Sequence, residues 1–437
     1  MHPLFGLAAL PDKRVRENAL SAMRDLAANQ RWQLRFAIEG GMEAFTAALT
    51  IVMNEEARAR GETVLGEDGD EQGADVAAIT DVTDADAASE AKPEGDVDVE
   101  EQGGAVTPPS PSAGSEAGSE ASGVHGGGRD ARLLETEAVD ISAGFEPELR
   151  GDAEVKFGTR MKFDTEEALK NLRLRTLAVA GLRHLSLNEN LKRRLVDEIG
   201  ILTPIIAGCL AEQPPQQPPI DTLFPDRDPT QEERDEYERK DGMFRWNGDL
   251  MRHASAVFAN LAEAAENQVQ MGHTDNLLVA LAKVIEHGSL HPKPRPSTPT
   301  TRKPETTDVG YETCRDAARA LCHLSSNPEN QVGLFTDPAV LKSLFRLIDI
   351  DEEWSRFAAL AVGNLAVHYS NQQQILANDG LACLIKGLSS RNESLQGAAG
   401  RALYRLATDP DNQLRIVREG GVGPLVNLLY STNTNCQ

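Results

Sequence analysis

The stretch 358–430 constrains this chain more than any other, because a unit of 41 residues is written there almost twice. Leu365, in Ala-Val-Gly-Asn-Leu-Ala, and Leu406, in Ala-Leu-Tyr-Arg-Leu-Ala, hold the same place. Seven residues before each stands Ala358 or Ala399, four before Ala361 or Ala402, and three before Val362 or Leu403. One after is Ala366 or Ala407, and six after comes Asn371-Gln372 or Asn412-Gln413. A turn glycine follows (Gly380, or Gly420-Gly421), then a second apolar run carrying Leu384 and Leu388, or Leu425 and Leu429. A repeat of this length is the signature of a stacked array of helical units.

The same pattern centres on Leu26, Leu185, Leu261 and Leu324, which brings the number of copies to six. The alanine seven residues back recurs as Ala19, Ala178, Ala254 and Ala317, and the apolar residue three back as Met23, Leu182, Phe258 and Leu321. Spacings between successive key leucines are 159, 76, 63, 41 and 41 residues, so inserts of 118, 35 and 22 residues interrupt the first three periods. Each insert follows the second apolar helix of a unit, which predicts that all three leave from one edge of the stack. Apolar residues at −7, −4, −3, 0 and +1 make one stripe at helical period. One unit cannot bury that stripe alone, but six in contact share a continuous core.

Asn267, Asn330, Asn371 and Asn412 are expected to cap the N-termini of the short helices that follow. Pro328 and Pro410, two residues earlier, help stop the preceding helix. Glycines 40, 41, 200, 380, 420 and 421 are expected at turns needing positive φ; the third and fourth units have Thr274-Asp275 and Asp337-Pro338 there, so their turns differ.

The predicted organisation is a first unit over 1–53, an acidic insert over 54–163, a second unit over 164–211 and a Pro/Gln-rich charged insert over 212–249. A third unit follows over 250–289, then a basic Pro-rich loop over 290–311 and units four to six over 312–437. The chain opens and stops partway through a unit, as a piece of a longer protein would. Net charge is −24, but residues 55–130 carry 20 acidic against 4 basic side chains, leaving only −8 elsewhere. That stretch, poor in aromatics, has too little apolar surface to order itself. Its Thr107-Pro-Pro-Ser-Pro run is open to proline-directed modification. Asp164-Thr-Glu-Glu has the form of a capping box into Ala168–Leu187. Gln231–Lys240 suits a short exposed helix, and the run from His291 to Pro304 favours polyproline II.

Such a charge balance gives no electrostatic attraction to nucleic acid. The cysteines (Cys209, Cys314, Cys322, Cys383, Cys436) are scattered without metal-ligand spacing, which suits buried thiols in a reducing compartment. No apolar run approaches the roughly 20 residues that span a bilayer, and His2 rules out an N-myristoylation signal at the second residue. The expected location is cytoplasmic, with the nucleus as the other option. No phosphate-binding Gly-Lys-Ser/Thr loop, HExxH or GxSxG is present, and His287 and His291 lack a third ligand nearby. No catalytic residue, metal or cofactor is expected.

The Asn-Leu-Ala helix ends and the run Gly-Val-Gly-Pro-Leu-Val-Asn-Leu-Leu at 421–429 resemble armadillo repeats, over blocks 4–50, 164–211, 250–288 and 312–430. The resemblance implies an all-α, armadillo-type α-solenoid, a right-handed superhelix of about six three-helix repeats. Its third helices would line a concave groove for extended peptides, with no catalysis tied to the fold. Importin-α-like members carry a tryptophan four residues before the groove asparagine. Here Ser21, Ala180, Ala256, Arg319, Leu360 and Arg401 stand in that place, which speaks against reception of nuclear-import cargo. Asn260 and Asn364 match the groove asparagine, while Asp25, His184, His323 and Arg405 fill the other four places.

That column reads the same way without the family. All six residues before the buried leucine are polar, as a row that hydrogen-bonds an extended ligand would be; helix residues beside an apolar stripe are also often simply solvated. The candidate partner-binding residues are therefore Asp25, His184, Asn260, Arg319, His323, Asn364, Arg401 and Arg405. Arg319, His323, Arg401 and Arg405 would make the C-terminal half positive and suit an acidic or phosphorylated segment. Lys170, Arg173, Arg175, Arg183, Lys192, Arg193 and Arg194 follow the acidic insert, which either rests on them or leaves them solvated. The function these features point to is a non-catalytic protein–protein scaffold or adaptor, like catenins and vacuolar armadillo adaptors. The alternatives are the substrate-binding part of an armadillo-containing ubiquitin ligase and, less favoured, a nuclear transport adaptor.

Overall fold

The computed structural model describes residues 2–60, 166–211, 214, 218, 220–225, 227–290, 309–332 and 338–430. Every regular element among them is helical. Helix α1 (His2–Leu7) precedes a first unit of α2 (Lys13–Ala28), α3 (Gln30–Ile38) and α4 (Gly41–Arg60). The second unit is α5 (Glu166–Ser186), α6 (Glu189–Asp197) and α7 (Leu202–Leu210). A short α8 (Ile220–Leu223) leads to the third unit of α9 (Gln231–Glu263), α10 (Ala265–Gly272) and α11 (Leu277–Leu290). The fourth comprises α12 (Val309–Ser326), α13 (Pro328–Gln331) and α14 (Pro338–Asp349). The fifth and sixth are α15 (Ser355–Leu365), α16 (Tyr369–Ala377), α17 (Gly380–Leu388), and α18 (Glu393–Leu406), α19 (Pro410–Arg418), α20 (Val422–Leu429).

The units stack. The long helices α2, α5, α9, α12, α15 and α18 pack each on the next, and α4, α7, α11, α14, α17 and α20 form a second row behind them. The fold is an all-α solenoid. Leu185, Leu261, Leu324, Leu365 and Leu406 are fully buried between the rows, and Leu26 is partly buried against the same core. Alanines 178, 254, 317, 358 and 399 are also fully buried and let neighbouring helices approach. Each fully buried leucine stabilises the stack by roughly 1.5–3 kcal/mol. Among the described residues no single helix is long and apolar enough to cross a membrane.

The four asparagines expected as N-caps do something else. Asn267, Asn330, Asn371 and Asn412 lie buried inside their short helices. Each amide Nδ2 donates to the carbonyl of the key leucine six residues back: Leu261 at 3.1 Å, Leu324 at 3.0 Å, Leu365 at 3.2 Å and Leu406 at 3.0 Å. The glutamine that follows does the same one residue on, with Gln268 reaching Ala262 at 3.0 Å, Gln331 reaching Ser325 at 3.0 Å and Gln372 reaching Ala366 at 2.9 Å. The last carbonyls of a helix have no partner within it. Here the short helix covers them, and its side chains add donors to the i+3 backbone N–H that reaches Leu261, Leu365 and Leu406. Three residues earlier, Asn327 and Asp409 cap the short helices of the fourth and sixth units, as Asn29 and Asn188 do in the first two, each side chain accepting a backbone N–H two residues on. Ala264 and His368 hold that place in the third and fifth units and make no side-chain cap. Pro328 and Pro410 then take the first helical position, where no N–H is needed.

The same amides join units. Nδ2 of Asn267 also donates to the Lys192 carbonyl at 3.1 Å, that of Asn330 to Gln268 at 2.8 Å and that of Asn371 to Gln331 at 2.5 Å. Gln33 and Gln372 reach the other way, to the carbonyls of His184 and Arg405 in the following unit, both at 3.2 Å.

Positive φ is found at Gly40, Gly200 and Gly420, as the turns require. In the fifth unit it falls instead on Asp379, at +60°. Gly380 is there for space, since a Cβ on it would lie 2.5 Å from the Phe345 ring and 2.7 Å from Ile375. The third unit, lacking a turn glycine, places Asn276 at +61°.

Two expected boundaries shift. Helix α4 continues past residue 53 to Arg60 because Glu55 and Glu56 reach into the interface with α2 and α5. Glu55 pairs with the fully buried Arg16 at 2.6 Å and with Lys13 at 3.3 Å, and Glu56 pairs with the buried Arg175. The segment 231–240 is no separate exposed helix but the start of the 33-residue α9. A capping box between Thr230 and Glu233 begins it, and i,i+4 pairs Glu236–Lys240 and Asp241–Arg245 run along it. Arg227 also binds Glu233 and is the first cause holding its carboxyl down to about 2. The acidic insert beyond residue 60, the Asp164 capping box, the Asp337 turn position, the Pro-rich loop and Cys436 lie outside the described residues.

Replacing Asn371 by alanine removes both amide bonds, taking its donor from the Gln331 carbonyl and leaving the Leu365 carbonyl with only the His368 N–H at 3.3 Å. The expected loss is about 2–3 kcal/mol in urea unfolding followed by circular dichroism; a midpoint matching wild type would contradict the role given to this amide.

Candidate partner-binding face

The residues before each key leucine fall on the row of long helices, one per unit, where helical period places them beside the apolar stripe. Asp25 is exposed and paired with Arg24 at 2.7 Å. His184, His323, Asn364 and Arg405 are half-buried, Asn260 is buried and Arg401 is exposed. Most are bonded within or between units. Nδ2 of Asn260 donates to Ser186 Oγ of the preceding unit at 3.0 Å, and Nδ2 of Asn364 to Ser325 Oγ at 3.3 Å. These two serines occupy the same place, one after the key leucine. Arg405 Nη1 donates to the Gly363 carbonyl at 2.7 Å and to Asn364 Oδ1 at 3.1 Å.

The positive cluster expected from Arg319, His323, Arg401 and Arg405 is therefore thinned. Burial and the neighbouring Arg319 push the His323 imidazole below its ordinary range, so it is neutral at pH 7. Arg319 faces the buried Asp316 at 3.4 Å, and Arg405 is committed to the fifth unit. Arg401 keeps its charge outward. Sequence reasoning missed Arg356, which lies nine residues before Leu365, the spacing that also places Arg252 and Arg315. Those three arginines share one position of the period, and that regularity could have found them.

The central part of the face balances its own charge. Arg252 meets Asp249 at 2.8 Å and Glu312 at 3.3 Å, while Arg315 meets Asp316 at 2.9 Å. The seven basic side chains of the second unit are likewise engaged. Lys192 is buried between Glu189 and Glu263, at 2.7 and 3.0 Å, and Arg175 is held by Glu56. Lys170 pairs with Glu166, Arg193 with Asp197, and Arg194 with Glu43 and Glu198. Arg173 lies over the Trp246 ring and Arg183 against His253. The second unit presents no unpaired basic patch of the kind expected opposite the acidic insert.

Burial, followed by Arg252 and Arg183, pushes the His253 imidazole down to about 3. Arg183 Nη1 stands 3.3 Å from its Nδ1. Arginine has no acceptor, so Nδ1 accepts and the proton sits on Nε2. Burial also pushes the Cys209 and Cys383 thiols up to about 12 and Cys322 up to about 11, so none is a thiolate at neutral pH. Among the described residues no group of three His, Cys, Asp or Glu could hold a metal ion.

No protein-family model and no curated protein matches this sequence. Among solved structures it is similar to an engineered protein at 18% identity, covering 61% of this chain and 88% of that chain, with a TM-score of 0.41. A designed armadillo repeat protein is 18% identical over 61% of this chain and 89% of that chain, with a TM-score of 0.39. Another, solved in complex with the peptide (KR)4, is 18% identical over 63% of this chain and 92% of that chain, with a TM-score of 0.39. Similarity at this level says nothing about the ligands or residues of the face.

His253 gives the face a pH dependence of defined sign. Its ordinary pKa is about 6.5 in the unfolded chain, so between there and about 3 the unfolded state binds the extra proton. Its contribution to stability is complete above that window and is lost as the pH falls through it. His253→Phe should flatten the fall of unfolding free energy between about pH 7 and about pH 4 in urea titrations. Equal slopes for variant and wild type would dismiss the assignment.

Proposed function

We propose that the row of long helices is the binding face of a non-catalytic protein–protein scaffold, which takes extended partner segments, acidic or phosphorylated ones among them. One observation supports this reading above others: the polar column recurs in every unit, and three of its six residues, Asn260, Asn364 and Arg405, are tied in place between units. Asn364 is fixed by Ser325 on one side and by Arg405 on the other. Side chains held in this way lose little further freedom when a ligand arrives, which lowers the cost of association. An extended chain laid across such a row meets donors and acceptors at a regular pitch, and specificity comes from the side chains beside them. Asp25, His184, His323 and Arg401 have surface left over for contact; Asn260 serves chiefly as a fixture between units.

Peptides selected from a random display library against the full chain provide the test. His323→Ala should weaken the selected binders by about tenfold, while Lys342→Ala on α14, in the second row, should leave them unchanged. The opposite pattern, with circular dichroism showing both variants folded, would place recognition elsewhere.

A further inference from the structure

Between α15 and α18 the face opens into a cleft of about 350 Å³, lined by Arg356, Phe357, Leu360, Glu393, Gly397 and Arg401 among others. Three features set it apart from the rest of the row. Arg252 on α9 and Arg315 and Arg319 on α12 each have an acid partner. Arg356 instead lies 4.8 Å from the Phe357 ring centroid, and neither it nor Arg401 makes an ion pair among the described residues. At the position where the third, fourth and fifth units carry Arg252, Arg315 and Arg356, the sixth has Gly397, and no side chain fills the space. Leu360 and Phe357 are only partly buried, so the cleft has an apolar wall beside its two charges.

We infer that this cleft is a subsite for a carboxylate side chain of an extended protein segment, with an apolar residue next to it. The inference rests on the binding face proposed above and deepens it. Two guanidiniums with free donors suit a planar oxyanion. The exposed Glu393 carboxylate at the rim repels a doubly charged ligand group more than a singly charged one, which favours an aspartate or glutamate. A phosphate near two negative charges meets the larger repulsion there. The neighbouring apolar residue packs on Leu360 and Phe357. Acidic recognition thus moves away from Arg319, His323 and Arg405 to the pair Arg356 and Arg401.

The test uses fluorescein-labelled octapeptides and the full chain at low salt, read by anisotropy. The probes are (Leu-Glu)4, (Leu-Gln)4, (Leu-Lys)4 and (Leu-phosphoserine)4. Wild type should bind (Leu-Glu)4 about tenfold more tightly than (Leu-Gln)4. Arg356→Gln and Arg401→Gln should each reduce that preference, and Arg401→Glu should reverse it in favour of (Leu-Lys)4. Lys342→Glu, outside the cleft, should keep the wild-type order. Equal binding of (Leu-Glu)4 and (Leu-Gln)4, or a preference untouched by the arginine variants, overturns the subsite and leaves the binding face standing. Tighter binding of (Leu-phosphoserine)4 overturns the choice of carboxylate. Binding of none of the four by any variant removes the face as well. Arg401 is exposed, so its variants should melt as wild type does, and a melting curve confirms it.

Discussion

Each long helix ends under a short one, where its last carbonyls fall outside the i+4 ladder and the key leucines of five units receive a long i+3 backbone N–H at 3.1 to 3.4 Å. The structure meets that constraint with amide side chains. Asparagine and glutamine at successive positions of the short helix each turn a donor back to the carbonyl six residues earlier, in all three of the third, fourth and fifth units. An unpaired buried carbonyl costs about 1–3 kcal/mol, so this placement cannot drift by a residue without penalty. The second hydrogen bond of the same amide crosses to the neighbouring unit. One residue type at one position therefore both closes a unit and sets its spacing to the next.

The polar column on the face depends on that spacing. Asn260 meets Ser186, and Asn364 meets Ser325, only because adjacent long helices sit in a fixed register. Its electrostatics are graded along the stack. Acids and arginines pair off across α9 and α12, and the pairing stops at α15, where Arg356 turns to an aromatic ring. Paired surface charges contribute little to stability, but an unpaired one remains available to a ligand.

Much of this was legible in the residues. The spacing of the key leucines marked the units, since an apolar stripe at helical period is a strong signal and its repetition multiplies it. The type of residue at the asparagine position was legible, but its role was not. An asparagine near a helix start has the same composition signal whether it caps that helix or reaches back to the preceding one, and only tertiary placement separates the two. The extension of α9 was hidden because 231–240 is charged and carries no stripe; its helicity comes from a capping box and i,i+4 pairs. The charge of the face was misjudged for a related reason. Asp316 lies one turn from Arg319 and next to Arg315 in the chain, yet a sequence shows neither the burial that forces such neighbours to pair nor the burial that keeps His323 neutral.

The second unit departs from the rule in one place. Leu191-Lys192 stands where later units have asparagine and glutamine, so no amide runs back from it to the first unit. Arg175–Glu56, Arg194–Glu43 and Lys13–Glu167 span that joint instead, with Gln33 reaching forward to His184. The next three joints keep their amides and, among the described residues, carry one ion pair each, Lys192–Glu263, Arg252–Glu312 and Lys386–Asp349. A solenoid built this way has one seam that leans on dissolved ions and on carboxylate ionisation more heavily than the others do. Brine and acid thus act first on that seam, loosening the leading module before the remaining five.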